Sequence, residues 1–489
     1  MMAPIIIIIV VSIYLALCLY IGYRAMKATL PSPEEFFVAG RRIGSFVTAA
    51  ATLGAYFSAF SFLGAAGYSY LYGYSHILWT MIMINLLVPL AVVIARKMRR
   101  LGKELGLLTP ADFFCERYGS PLIHKILVGV IGVIFATYFY MTIQIIGSGY
   151  AFEVMTGGIV PYAMGAAVAS AIVAIYVFMG GQRGVAWTDA LQALIMITAL
   201  VFLGAYAFYA TGGALFDRLK EARPVMLTSV WPPILSVTLG LACAFGYAVY
   251  PLYWMRAYSA RDDRAIWHSG WFGLGIGNFI CVAIIIWLIA AGAAVFYPNI
   301  PAAQADKILL YFSRDFLHPL VGGFIVAGLL SASMSTIDIM LLTVGAVISH
   351  DLLEISSRIR AMSEKRKTWI SRFILLILII LVYVFSLSPP GLLITIVVST
   401  AVPIYAAMLP GVVFGLWWRR GNTYGSISSL VVGFATAIYT GFISPNPLRI
   451  HAGVWSTSLA TLAYVVVSLL TPPPSEEILR KFKLSPKTK

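Results

Sequence analysis

The sequence predicts an all-α polytopic membrane protein of about 13 transmembrane helices. Three observations carry this. Of 489 residues, 60% are hydrophobic and 11% are charged, where a soluble domain carries about 25% charged residues. The mean hydropathy is +0.90. The apolar residues also fall into runs near the ~20 residues that a helix needs to cross a bilayer.

Thirteen such runs occur, at 4–23, 46–70, 76–95, 122–152, 160–180, 187–211, 232–255, 268–297, 317–352, 369–388, 391–418, 424–444 and 450–470. The first has no basic residue before it, and Arg24 and Lys27 follow it. A secretory signal would start charged, so this run reads as an uncleaved helix. The second contains Gly54, Ala55, Ala59, Gly64 and Gly67, and the seventh contains Gly240, Gly246 and Pro251, so both read as broken helices. The fifth and sixth flank a tight turn at Gly180–Gly181. The ninth is apolar apart from a hydroxyl-rich centre. No long soluble insert interrupts the series; the largest loops are 96–121 and 353–368. One membrane domain is expected over 1–471, with core repeats at about 46–211 and 232–418, and a tail over 472–489. In that tail Ser475 precedes Glu476 and Glu477, the pattern of a capped short helix.

The net charge of +15 is distributed by side. With the N-terminus outside, the cytoplasmic loops carry 28 of the 34 Lys and Arg and the external loops carry 6. This positive-inside asymmetry sets an outside N-terminus and a cytoplasmic C-terminus in the plasma membrane. It accounts for the basic charge without nucleic acid, and no obligate protein partner is evident. The four cysteines stand at no metal-like spacing, so neither a disulfide framework nor a metal site is expected from them.

The two broken runs lie five spans apart. Each can open a five-helix repeat, and because five is odd the repeats would be inverted. Interrupted helices at equivalent places in inverted repeats point to a transporter binding site. The alternative is that the glycines only allow close helix packing.

Chemistry concentrates at Ser331-Ala332-Ser333-Met334-Ser335-Thr336, followed by Asp338. Lipid supplies no water, so hydroxyls at this depth face a cavity or another helix. Ser335, Thr336 and the Ala332 carbonyl offer three oxygens without a strong charge, a set suited to a weakly held monovalent cation. The broken second span, near Gly54 and Phe57, is the expected donor of further carbonyls, because a helix end leaves backbone groups unpaired. The alternative is that both hydroxyls bond back to their own helix. In Gly180–Gln192, Asp189 is either an N-cap, with Thr188 as the other candidate, or a carboxylate on a cation's path.

Three motifs together resemble the sodium:solute symporter family. They are Arg41–Thr48 with Ala55–Gly67, the stretch Gly180–Gln192 with Trp187-Thr188-Asp189, and Ala332–Asp338, with Ser349-His350-Asp351-Leu352 replacing the usual ending. The resemblance covers spans 2 to about 11. It implies a LeuT-like fold of two inverted five-helix repeats (spans 2–6 and 7–11), with one additional N-terminal and two C-terminal helices. It implies a sodium site formed by Ser335 and Thr336 with the carbonyls of Ala332, Gly54 and Phe57, and a role for Asp189 in releasing the ion inward. Proline-transporting members carry an aspartate where Tyr56 stands here, and the groups that sugar transporters use are missing, so proline and hexoses are disfavoured.

By position, the solute pocket would include Tyr56, Phe60, Ser61, Gln144, Tyr247 and Tyr250, with Tyr140 one turn from Gln144. Pockets of this kind are mostly apolar with a few placed polar groups. The Tyr56–Gly64 stretch resembles branches that carry monocarboxylates or pantothenate; an amino-acid-like solute is the other candidate. The resulting expectation is a sodium-coupled importer of a small organic solute, with no cofactor and no enzymatic activity. Proton coupling through Asp189 or Asp338 is the alternative. A membrane sensor is disfavoured by the lack of a signalling domain, an enzyme by the lack of clustered catalytic groups, and an ATP-driven pump by the lack of a phosphate-binding loop.

Overall fold

In a computed structural model, which describes residues 2–29, 32–389 and 391–484, the regular elements are helices. The described residues contain two isolated β-bridges, Ile43–Ala260 and Gly73–Ser229, and no longer strand. In chain order the elements that matter here are α1 (Met2–Ala28), α2 (Ser45–Tyr56), α3 (Phe60–Tyr72) and α4 (Ser75–Leu105). Then come α5 (Pro110–Tyr118), α6 (Pro121–Met155), α7 (Tyr162–Ala210), α8 (Pro233–Ala248) and α9 (Pro251–Ser259). They are followed by α10 (Asp263–Phe296), α11 (Pro319–Ile355), α12 (Glu364–Ser386) and α13 (Val397–Trp417). Last are α14 (Thr423–Ile443), α15 (Ala452–Leu470) and the tail helix α16 (Glu476–Lys481).

Among the described residues, eleven helices are long and apolar enough to cross a membrane, or twelve if the bent pair α2–α3 is one span. The sequence led to thirteen, and the difference lies in α7. This run of 49 residues is continuous except at Gly181. At ~1.5 Å per residue it is more than twice as long as a ~30 Å hydrocarbon core is thick. Gly181 takes φ 51° and ψ −149°, and a Cβ there would lie 2.6 Å from the Phe36 carbonyl, so the kink requires glycine. The expected turn is therefore a one-residue kink, and thirteen is reached only by counting the two arms of α7 separately. Because helical geometry resumes at once, neither Thr188 nor Asp189 is an N-cap. The Thr188 hydroxyl donates within its own helix, toward Gly184 O at 3.0 Å or Val185 O at 2.9 Å.

Both expected breaks are present. The axes of α2 and α3 differ by 56°. Between them Phe57 is extended, with φ −95° and ψ 106°. The break between α8 and α9 falls at Pro251, which has no N–H to donate and disfavours helical geometry at Tyr250. Tyr250 accordingly has φ −63° and ψ 127°. The helix between and beside these breaks is α11. It is enclosed along its whole central stretch, with α1, α2, α6 and α7 packed around it. Ser331 to Ala346 are all buried.

The tail helix forms as its cap signal predicts, with the Ser475 hydroxyl accepting the Ile478 N–H. It docks on the end of α4 and on α5, the stretch 96–121 that reads as a loop in the sequence but is mostly helical. Phe482 is buried with its ring centroid 5.9 Å from that of Phe113, Lys483 pairs with Glu104 at 2.7 Å, and Lys481 pairs with Glu116.

On the other side of the bundle, Asp306 sits on the short helix Ala302–Lys307, packed against α3. It is 4% exposed. One carboxylate oxygen accepts the Leu393 N–H at 2.9 Å and the other has no partner. Tyr150 and the Lys307–Glu153 pair are the ionisable neighbours. Burial pushes the Asp306 carboxyl up to about 6, against the opposing Leu393 hydrogen bond. A free Asp titrates near ~3.9, so the docked form binds more protons and is favoured as pH falls through about 6; the burial penalty is complete above that. Purified protein should gain less thermal stability from Asp306→Asn at about pH 5 than at about pH 7. Equal gains at both values would remove Asp306 from the pH response.

Candidate functional site

The hydroxyls of Ser335 and Thr336 lie where α11 crosses the break between α2 and α3. The Ser335 hydroxyl is 3.0 Å from Gly54 O, 2.7 Å from Ser331 O and 3.3 Å from Ala332 O. The Thr336 hydroxyl is 3.0 Å from Ala332 O, 3.4 Å from both Ala55 O and Phe57 O, and 3.5 Å from Gly54 O. Gly54 allows this approach. A Cβ there would sit 3.2 Å from Ser335 Cβ, tighter than ordinary side-chain contacts. Back-bonding and cross-helix contact thus coexist, and the structure brings Gly54, Phe57, Ala332, Ser335 and Thr336 together. It adds the Ala55 carbonyl, which motif matching did not single out.

Each hydroxyl has one proton. Two hydroxyl protons here face five carbonyl oxygens, those of Gly54, Ala55, Phe57, Ser331 and Ala332. The excess of lone pairs suits a cation. No carboxylate joins the cluster, so its charge demand is small.

Asp189 is adjacent. Its backbone carbonyl is 3.7 Å from the position a Gly54 Cβ would take. Its side chain is fully buried and paired with the equally buried Arg256 of α9. Asp189 Oδ1 and two guanidinium nitrogens of Arg256 have no hydrogen-bond partner. Asp338, one turn beyond Ser335, accepts the Tyr176 hydroxyl at 2.8 Å, so it links α11 to α7. Arg256 and Tyr176 were not among the predicted site residues. An isolated Arg near a span end reads as topology, and a lone Tyr in an apolar run has no periodic signature.

The predicted pocket residues gather at the same level and pack against one another. The Tyr56 hydroxyl donates to Tyr247 O at 2.8 Å. The Tyr56 ring lies edge-on to Tyr247, Tyr250 and Tyr253, with centroids 5.8, 5.7 and 6.2 Å away. Tyr140 stacks on Tyr250 at 5.9 Å, and Tyr405 of α13 is 4.9 Å from Tyr250. Phe60 is buried, and the Ser61 hydroxyl is 3.4 Å from Tyr56 O. The hydroxyls of Tyr250 and Tyr253 are buried and make no hydrogen bond within the described residues. Tyr253 and Tyr405 were not predicted, since aromatic residues in apolar helices are usually packing. A cavity of about 690 Å³ lies outside this cluster, lined by Phe46, Leu53, Arg261, Arg264 and His268 among others. The break geometry, not cavity size, locates the candidate site.

Gln144 is already engaged. Its Oε1 accepts the Ala59 N–H at 2.9 Å, and its Nε2 donates to Tyr140 O at 3.2 Å. It therefore caps the start of α3, a helix end that would otherwise leave an orphan donor in an apolar setting. Gln144→Leu should destabilise the protein by about 1–3 kcal/mol, the cost of an unpaired buried N–H. Gln144→Glu keeps an acceptor and should lose less. Equal melting of the leucine variant and the wild type would refute the capping role.

Comparison with known proteins identifies the fold and the family. Solved structures that cover most of the chain share its LeuT-like fold. A Na+-coupled sialic acid symporter, described in a substrate-bound outward-open state with a novel Na+ site, aligns with TM-score 0.77 over 96% of this chain and 99% of its own, at 16% identity. The nucleobase-cation symporter Mhp1 aligns with TM-score 0.59 at 15% identity, covering 92% of this chain and 98% of its own. At these identities they establish the fold. Residues 36–433 match the sodium:solute symporter family, and the chain belongs to that family. The sodium/pantothenate symporter of Haemophilus influenzae is 28% identical over 441 residues, 88% of this chain and 89% of its own length. Sodium/proline symporter 2 of Staphylococcus saprophyticus is 28% identical over 443 residues, 88% of this chain and 85% of its own.

Proposed function

We propose that this protein imports a small organic solute together with sodium by alternating access. The observation that carries the reading is the excess of carbonyl oxygens over hydroxyl protons where α11 meets the broken α2–α3 helix. Sodium is close in size to calcium, which takes oxygens at about 2.3–2.6 Å. An octahedral shell with such bonds has edges of about 3.4 Å. The measured separations of 3.0 to 3.5 Å between the α11 hydroxyls and the α2 carbonyls suit that shell. Ser335, Thr336, Ala332, Gly54 and Phe57 are the proposed ligands.

Sodium here would tie α11 to the broken helix and hold the neighbouring tyrosines in place for the solute. Each ligand must then raise the other's affinity by the same factor. An inward-moving ion next meets Asp189, whose carboxylate would exchange Arg256 for sodium. The solute class favoured by the aromatic, hydroxylic cluster of Tyr56, Phe60, Ser61, Tyr247 and Tyr250 is a monocarboxylate, pantothenate-like or amino-acid-like compound. The name of the Haemophilus relative supports the pantothenate-like member of that set. The excess of Lys and Arg on one side supports an outside N-terminus and a cytoplasmic C-terminus in the plasma membrane.

The test is uptake of labelled pantothenate, short monocarboxylates and amino acids into proteoliposomes. Uptake should require an inward sodium gradient and rise with an inside-negative potential. Equal uptake in sodium-free buffer would sink sodium coupling. Uptake restored there by external acid would assign the coupling to protons at Asp189 or Asp338.

A further inference from the structure

One cluster of ionisable groups takes no part in the proposed sodium or solute site. It lies at the end of α11, where the sequence reads His350-Asp351, against α5. In α5, Asp112 and Thr109 form a reciprocal cap. Asp112 Oδ2 accepts the N–H groups of Leu108 at 2.8 Å and Thr109 at 3.0 Å. Its Oδ1 is left facing His350 Nε2 at 3.4 Å. The other ring nitrogen, Nδ1, faces Glu354 Oε2 at 3.4 Å, and Glu354 is held in turn by Lys367 at 3.1 Å.

Asp351 completes the group. It is fully buried, and neither of its carboxylate oxygens has a hydrogen-bond partner. Asp112, His350, Thr109 and Lys125 are its polar neighbours, and none of them reaches it within hydrogen-bond geometry. A buried carboxylate left without a partner is costly. One donor atom from each of Asp112, His350 and Asp351 lies within 4.8 Å of the other two. This unpartnered acid is therefore directed at an imidazole and a second acid.

We propose that Asp112, His350 and Asp351 bind one divalent transition-metal ion, of the zinc or manganese class, that joins the end of α11 to α5. Two carboxylates supply the charge that balances a divalent ion. The imidazole selects a borderline metal over the all-oxygen shells of magnesium and calcium. Three protein ligands leave a position for water. The surroundings match what metal ligands need: the second nitrogen of His350 faces a carboxylate, and Asp112 is oriented by two backbone N–H groups on its outer oxygen. Because α11 also carries Ser335 and Thr336, the ion would restrain the helix on which the proposed sodium oxygens sit.

The experiment is a calorimetric titration of the purified, chelator-treated full chain with zinc chloride and with manganese chloride, so its readout is independent of transport. The wild type should bind a single ion. Asp351→Asn should weaken binding at least about 100-fold, and Glu354→Gln, which removes the carboxylate that faces His350 and pairs with Lys367, about tenfold. Wild-type protein that shows no saturable binding, or wild-type affinity in both Asp351→Asn and His350→Gln, overturns the proposal. Should Asp351→Asn fail to fold, cobalt(II) absorption decides. Ligand-field bands present in the wild type and lost in a folded His350→Gln variant support the site, and bands unchanged in that variant overturn it.

Discussion

Joint replacement of Ser335 by alanine and Thr336 by valine is expected to abolish sodium-driven uptake at ordinary sodium concentrations while leaving the fold intact. Each hydroxyl offers a lone pair to the ion, and a polar contact to a charged group is worth about 1.5–3 kcal/mol. Losing two should raise the sodium concentration for half-maximal uptake by about 100-fold or more. The fold should survive because each hydroxyl also bonds within α11, to Ser331 O or Ala332 O, and such bonds contribute only about 1 kcal/mol. Thr336→Ser keeps the oxygen and should stay near wild type. The check is a sodium titration of uptake, paired with sodium-dependent protection against thermal unfolding. A double variant with wild-type sodium dependence in both would reduce the cluster to helix packing.

The fold was legible because its signals are local. Apolar runs of bilayer length, the proline at the α8–α9 break and the small residues of α2 each act on their own stretch of chain. The boundary between the two arms of α7 was legible at Gly180–Gly181, although only Gly181 leaves helical geometry. The oxygens of the candidate site were legible for a different reason: Ser331, Ser333, Ser335 and Thr336 crowd four hydroxyls into six residues of an apolar run. Their backbone partners were fixed by motif resemblance, and the Ala55 carbonyl escaped because a carbonyl has no residue identity. Gln144 was expected in the solute pocket, and its task as a cap on Ala59 was not visible. That task depends on where another helix ends, 85 residues away. Tyr405 was missed for the same reason, since its partners come from distant helices.

Arg256→Met is expected to be the most damaging single substitution near the site, costing about 3–5 kcal/mol, because it leaves a buried carboxylate unpaired. Asp189 and Arg256 are both buried, and they tie α7 to the second arm of the second broken helix. Asp338 lies beside them, so removing the guanidinium leaves two buried acids whose remaining donors are the Tyr176 hydroxyl and the Ile339 N–H, both on Asp338. Replacing both members of the pair gives a different result. Arg256→Met with Asp189→Leu removes both buried charges and fills the space with apolar atoms, an exchange that is often neutral or stabilising. The double variant should therefore melt near the wild-type temperature and still fail to transport, because the carboxylate proposed to receive sodium is gone. Thermal unfolding and uptake measured on the same preparations separate the two roles. If the double variant recovers stability and transport together, the pair only holds the helices in place. If it recovers neither, Asp189 and Arg256 stabilise the bundle by more than their mutual attraction. Recovery of stability without transport is the outcome that a carboxylate exchanging its arginine for sodium requires.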